Sequence, residues 1–353
     1  MSYIVSTATA FPPHYYQQEE ILAWLSDLWS GQESRIARLE QFHRNAMVSG
    51  RHLALPIDKY ADLRGFGEKN DAWIEAALDL GEKVICKLLD AAGLTSGDIQ
   101  QLLFTTVTGI AVPSIDARLM NRIPFSTTLK RVPLFGLGCM GGAAGIARQA
   151  DYLHGHQQDA AVLLSIELCS LTLQHDDLTA ANMVSSSLFG DGAAAVLMVG
   201  DEHPLAREGM ARVIDSQSVF FPRTEYIMGW EVRDSGLKML LSSDVAEIVQ
   251  NNLLPPMEAF LARHGLQVSN VDHWIVHPGG PRVIEAMEQA LALRPDALDI
   301  TRNSLRTVGN LSSASVLSVL DETLRTCQPP AGSNGLILAM GPAFSAEMVL
   351  VRW

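Results

Sequence analysis

Two stretches of the chain follow one plan, and this internal repeat constrains the fold more than any other feature. "LLDAAGLTSGDIQQLLFTTVTG" (residues 88–109) and "FLARHGLQVSNVDHWIVHPGG" (260–280) each end a helix at Gly-Leu and turn through Ser, Asp or Asn. Each then runs an apolar strand into a glycine-containing loop. Gly93 and Gly265 lie 172 residues apart, as do Ile99 and Val271. With one residue of slippage the same shift sets Gly138-Cys139 on Gly309-Asn310. Further on, "DAAVLLSIE" (159–167) corresponds to "NGLILAMGP" (334–342), and "GDGAAAVLMVG" (190–200) to "AFSAEMVLVRW" (343–353). Strands alternating with helical segments imply mixed sheets buried under helices. Two such halves predict an α/β body of five layers, αβαβα. The polar stretch "VGDEHPLAREG" (199–209) sets the expected boundary, giving halves of residues 1–205 and 206–353. Residues 14–75 and 222–244 have no counterpart; the first reads as mostly helical and the second as a lid or mouth.

The remaining composition narrows the partners. Of 353 residues 48% are hydrophobic, enough for a large core, and the net charge of −13 argues against nucleic acid as a partner, since that requires a basic face. Cys86, Cys139, Cys169 and Cys327 are widely spaced and read as reduced thiols, neither a disulfide framework nor a zinc site. His154-x-His156 is a weak pattern, and no metal is expected. The opening "MSYIVSTATAFPPHYYQQEE" lacks a basic segment, and no apolar run reaches the roughly 18 residues a membrane span needs. A soluble, cytoplasmic protein without membrane insertion is expected.

"PLFGLGCMGGAAGIARQADYL" (133–153) spells Gly136-x-Gly138-x-x-Gly141 between an apolar strand and an Ala-rich helix. One reading is a dinucleotide turn, with Glu167 at the end of the next strand as the ribose acid. A second is a nucleophile: Cys139 precedes a helix whose dipole favours thiolate, among small residues that let a substrate approach. A third is a buried structural cysteine. The second half favours the nucleophile. "HWIVHPGGPRVIEAMEQAL" ends a strand at His277 before a Pro-Gly-Gly-Pro turn, and "TVGNLSSASVL" sets Asn310 where the first copy has Cys139. In a pseudo-twofold body the corresponding strand ends meet near the axis, so a thiol, an imidazole and a carboxamide converge.

Taken together, "GLGCMGGAAG", "LFGDGAAAVLMVG", "HPGGPRVIE", "GNLSSASVL" and "MGPAFSAE" make the chain resemble the thiolase superfamily, and within it the chalcone-synthase-like type III polyketide synthases. The resemblance covers nearly the whole chain. It implies iterative Claisen condensation of an acyl-CoA starter with malonyl-CoA, with no metal or redox cofactor, by a homodimer. Cys139 would carry the acyl chain, and His277 and Asn310 would form the oxyanion site. Phe189 matches a gatekeeping aromatic, Met239 stands where many relatives have a second Phe, and Cys169, Thr172 and Pro342 match cavity positions. Val112 matches the position at which a partner subunit closes the cavity. Arg38, Arg44 and Arg51, with Gly279 and Gly280, are the implied CoA contacts. Gly190 to Gly192 and Glu167 read as structure. Met239 points to an aliphatic starter and a pyrone or resorcinol-type product, as in bacterial alkylpyrone and alkylresorcinol synthases. The alternative is a priming enzyme of the ketoacyl-carrier-protein synthase III type, which would be expected to carry His-Gln-Ala-Asn where this chain has His277-Pro278-Gly279-Gly280.

Overall fold

The computed structural model describes residues 1–353. Its strands are β1 (Ser2–Ala10), β2 (His14–Gln17), β3 (Gly50–Leu53), β4 (Gln101–Thr106), β5 (Lys130–Phe135), β6 (Ala160–Leu168) and β7 (Asp191–Gly200). There follow β8 (Ala211–Phe220), β9 (Met228–Arg233), β10 (Gly236–Leu241), β11 (His273–Val276), β12 (Asn334–Gly341) and β13 (Ser345–Arg352). Nine of them form one sheet in the order β11-β12-β13-β8-β1-β7-β6-β4-β5.

The repeat is visible in that order. Outward from the centre, one half runs β1-β7-β6-β4-β5 and the other β8-β13-β12-β11. In each half the two inner pairings are antiparallel and the next is parallel. β6 therefore answers to β12, and β7 to β13. The two halves are not separate sheets, however. Ser2–Ile4 of β1 pair antiparallel with Ala211–Val213 of β8, joining them into one ladder. Two strands that would otherwise expose unpaired edges satisfy each other instead.

Three apolar clusters show why the central strands read as unbroken hydrophobic runs. In β6, Val162, Leu164 and Ile166 face an outer core while Ala161 and Leu163 face a central one. In β12, Leu336, Leu338 and Met340 face the other outer core while Ile337 and Ala339 face the central one. Strands covered on both faces lose polar alternation. The helices Gly141–Gly155 and Ser313–Thr326 fill the middle layer. Phe66–Ala92 covers one outer face, and Val245–Asn252 with Pro281–Leu291 covers the other. The five expected layers are present. Small residues let the two middle helices approach: a Cβ at Gly142 would lie 2.3 Å from the Ser313 carbonyl oxygen.

Candidate active site

The middle helices bring the chemistry-bearing residues to one end of the sheet. Cys139 sits in the short 3-10 turn Gly138–Met140, between the end of β5 and helix Gly141–Gly155. Gly138 there has φ +51°, and a Cβ on it would strike Pro342 at 2.5 Å, so the turn requires glycine. His277 follows β11, its backbone N–H donating to Leu338 O at 2.9 Å. Asn310 precedes the second middle helix; its N–H donates to Leu188 O at 2.9 Å, and its carbonyl accepts from Gly190 N–H at 3.0 Å. That exchange makes a parallel bridge with Phe189. Residues from both halves are thus locked together by backbone bonds.

These four side chains border one cavity of about 680 Å³, as do Gly279, Gly280 and Pro342. Met239 of β10 lies on its wall, directly opposite Trp230 in the β9–β10 hairpin. The segment read as a mouth, residues 222–244, therefore supplies this hairpin. Arg38 and Arg44, exposed on helix Glu33–Asn45, stand at the cavity with Arg282.

One residue the sequence reading missed organises the centre. Ser312 has φ +48°, and its N–H donates to Asn310 Oδ1 at 2.8 Å. This occupies the amide oxygen and leaves Asn310 Nδ2, which donates to no protein group, free for a ligand oxygen. Ser312 Oγ also lies 3.5 Å from Cys139 Sγ. The signal was only an ordinary Ser-rich turn, "NLSSAS".

Burial dominates the electrostatics. His277 is 3% exposed, its Nδ1 has no partner, and burial lowers its imidazole to about 3. The Cys139 thiol was expected to be lowered by the helix dipole. Instead, burial pushes it from 9.0 up to about 12, with the Ser312 hydrogen bond acting downward and the Glu167 carboxylate upward. A dipole contributes ~0.3–1 kcal/mol, less than one pKa unit, so burial prevails. The resting pair, each group considered without the other, is neutral thiol and neutral imidazole.

Several expected assignments fall elsewhere. Arg51 is on β3, only 1% exposed, and donates to Ser186 O; it is not at the cavity and cannot meet a phosphate at its mouth. The resemblance grouped Arg51 with Arg38 and Arg44, but the helix ends at Asn45 and the chain turns inward. Cys169 and Thr172 lie outside this cavity. Cys169 borders a separate pocket of about 50 Å³ behind Phe189, and Thr172 Oγ1 donates to Cys169 O at 2.7 Å. Val112 is also outside it, 91% exposed. Glu167 is fully buried and accepts from Thr108 Oγ1 at 2.9 Å, Val107 N–H at 3.1 Å and Ser313 Oγ. Every direction is filled, so no acid remains for a ribose, and the dinucleotide reading fails.

A chamber with a thiol, an imidazole and a carboxamide, entered past arginines, is the architecture of an acyl-condensing enzyme. The chain matches the chalcone and stilbene synthase N-terminal domain over residues 1–202 and the C-terminal domain over residues 212–353, and it belongs to that family. It is 47% identical over 350 residues to the 1,3,6,8-tetrahydroxynaphthalene synthase of Streptomyces peucetius subsp. caesius, covering 99% of this chain and 93% of that one. It is 29% identical to the phloroglucinol synthase of Pseudomonas fluorescens, over 100% and 99% of the two chains. The crystal structure of 1,3,6,8-tetrahydroxynaphthalene synthase from Streptomyces coelicolor, a bacterial type III polyketide synthase, superposes with a TM-score of 0.92 at 30% identity, covering 99% of each chain. The protein is a type III polyketide synthase, an acyltransferase that condenses CoA thioesters. No helix is long and apolar enough to cross a membrane.

Proposed function

We propose that the chain uses malonyl-CoA as both starter and extender and releases a polyhydroxylated aromatic product. The observation that carries this is the 47% identity, over 99% of the chain, with a 1,3,6,8-tetrahydroxynaphthalene synthase. A second reading, an aliphatic starter leading to a pyrone or resorcinol, draws on the apolar wall made by Met228, Trp230, Met239 and Leu241. Against the priming alternative stands the family match over both domains.

In this mechanism Cys139 transfers its proton to His277, and the two opposite charges offset the burial that disfavours each alone. The thiolate attacks the starter thioester, the carbon–sulfur bond to CoA breaks, and CoA leaves as the thiol with the proton from His277. A second malonyl-CoA then loses carbon dioxide beside the Phe189 ring, whose apolar face disfavours the carboxylate. His277 and the free Asn310 amide stabilise the enolate oxygen. The enolate carbon attacks the Cys139-bound acyl group and regenerates the thiolate. Arg38, Arg44 and Arg282 attract the CoA phosphates, and Gly279 and Gly280 let the pantetheine arm pass close to the backbone.

The working form is a homodimer. Val112, Ile110 and Phe135 are 91%, 39% and 56% exposed, and the last lies on β5, an unpaired edge of the sheet. Such apolar exposure fits a second copy.

The test is malonyl-CoA alone against malonyl-CoA with hexanoyl- or octanoyl-CoA, products read by mass spectrometry. A naphthalene-type product from malonyl-CoA alone is expected. Products that form only when an acyl starter is added would establish the second reading instead.

A further inference from the structure

The β9–β10 hairpin forms one wall of the chamber, yet it is a two-stranded sheet paired to nothing else. Isolated hairpins are marginal, so something outside the ladder must hold it. Its turn is fastened by a polar clamp that the condensation chemistry does not use. Lys69, on helix Phe66–Ala92, is 4% exposed, and its ammonium donates to Ser235 O at 2.8 Å and Leu173 O at 2.6 Å. Gln174, also 4% exposed, donates to Leu237 O at 3.3 Å and Thr172 O at 2.8 Å, and accepts from Ser235 Oγ at 2.6 Å. The start of the same helix adds Phe66 N–H to Asp234 O at 2.9 Å.

Lys69 has no ion-pair partner; backbone carbonyls from two segments share its charge. Burial lowers the ammonium to about 8, so keeping it there costs free energy that a packing methionine would avoid. The return is geometric. One group with three donors ties the hairpin turn to the segment that leaves β6 just beyond Cys169. Met239 and Trp230 stand between this clamp and the hairpin's other end, where Ser242 N–H donates to Ile227 O at 2.8 Å.

We propose that Lys69, with Gln174, is a positioning residue that holds the β9–β10 hairpin against the chamber and so sets how far the polyketide extends before it is released. The inference rests on the reading of this cavity as the polyketide chamber. When the clamp is loosened, Met239 and Trp230 swing outward, water enters, and partly grown chains leave by hydrolysis or lactone closure. Early decarboxylation is unaffected, because Phe189 and Asn310 are held to each other by a backbone bridge and His277 is held to β12, none of them through the hairpin.

Lys69→Met and Ser235→Ala test it. Ser235 is exposed, so its variant folds even if the lysine variant does not, and then decides alone. With wild type as reference, shortened and full-length products are quantified by mass spectrometry beside the rate of carbon dioxide release from malonyl-CoA. The ratio of shortened to full-length product should rise about tenfold in Lys69→Met, the factor one lost charge-assisted hydrogen bond gives. It should rise less, in the same direction, in Ser235→Ala, with decarboxylation within about twofold of wild type. An unchanged ratio in folded variants, or equal loss of decarboxylation and extension, overturns the proposal. The ratio is taken on whatever product wild type makes. A wrong substrate reading thus shows in wild type, and a wrong clamp only in the variants.

Discussion

Removing the imidazole should silence the nucleophile without unfolding the protein. Take His277→Ala in a background where the exposed Cys86 and Cys327 are replaced by Ser. His277 Nδ1 bonds to nothing, and the backbone bond to Leu338 survives the change, so the fold stands. Cys139 then keeps no base to take its proton, and burial, which pushes the thiol up to about 12, dominates. At pH 7.5 its thiolate fraction is roughly 10⁻⁵ to 10⁻⁴. In wild type, neutral His277 takes the thiol proton as the sulfur attacks, general-base help worth about 10²–10⁴-fold. Iodoacetamide alkylation of Cys139, followed by peptide mass spectrometry, should therefore be about 10³-fold slower in the variant at pH 7.5. The variant's rate should climb about tenfold per pH unit up to the limit of stability. The wild-type rate should depend less on pH near neutrality, because the imidazole, lowered to about 3, is already the free base. Rates agreeing within about threefold, with circular dichroism showing both proteins folded, would refute the coupling.

Two further substitutions follow from the same geometry. Cys139→Ala should abolish chain extension while leaving the melting temperature near wild type, whereas Cys139→Gln should still release carbon dioxide from malonyl-CoA; product analysis and labelled carbon dioxide capture check both. Gly142→Ala gains about 1 kcal/mol of helix propensity but places a Cβ 2.3 Å from the Ser313 carbonyl, where backbone cannot yield. The clash prevails, and denaturant titration should show a net loss of about 1–2 kcal/mol.

The repeat made the fold legible, because β6 and β12, β7 and β13, and both middle helices occur in the same order in each half. It could not show that β1 and β8 join the halves, since three paired residues leave no pattern in an apolar run. Cys139, His277 and Asn310 could be read as one set because Cys139 and Asn310 fall on corresponding positions of the repeat and His277 ends a strand of the second copy. Their pKa directions could not, since burial depends on what lies across the chamber. Ser312 was hidden by its neighbours' ordinary character, and Lys69 by reading as one more charge at a helix start. Arg51, Cys169 and Thr172 were assigned by resemblance alone, and resemblance does not give the side of Phe189 on which a residue falls.

The most direct test of the account is to quench the wild-type enzyme in acid within its first turnovers on labelled malonyl-CoA and to map covalent label by peptide mass spectrometry. Thioester-bound label on the peptide containing Cys139, absent from Cys139→Ala and sensitive to hydroxylamine, is the predicted result. Label elsewhere, or full product with Cys139 never acylated, would contradict it.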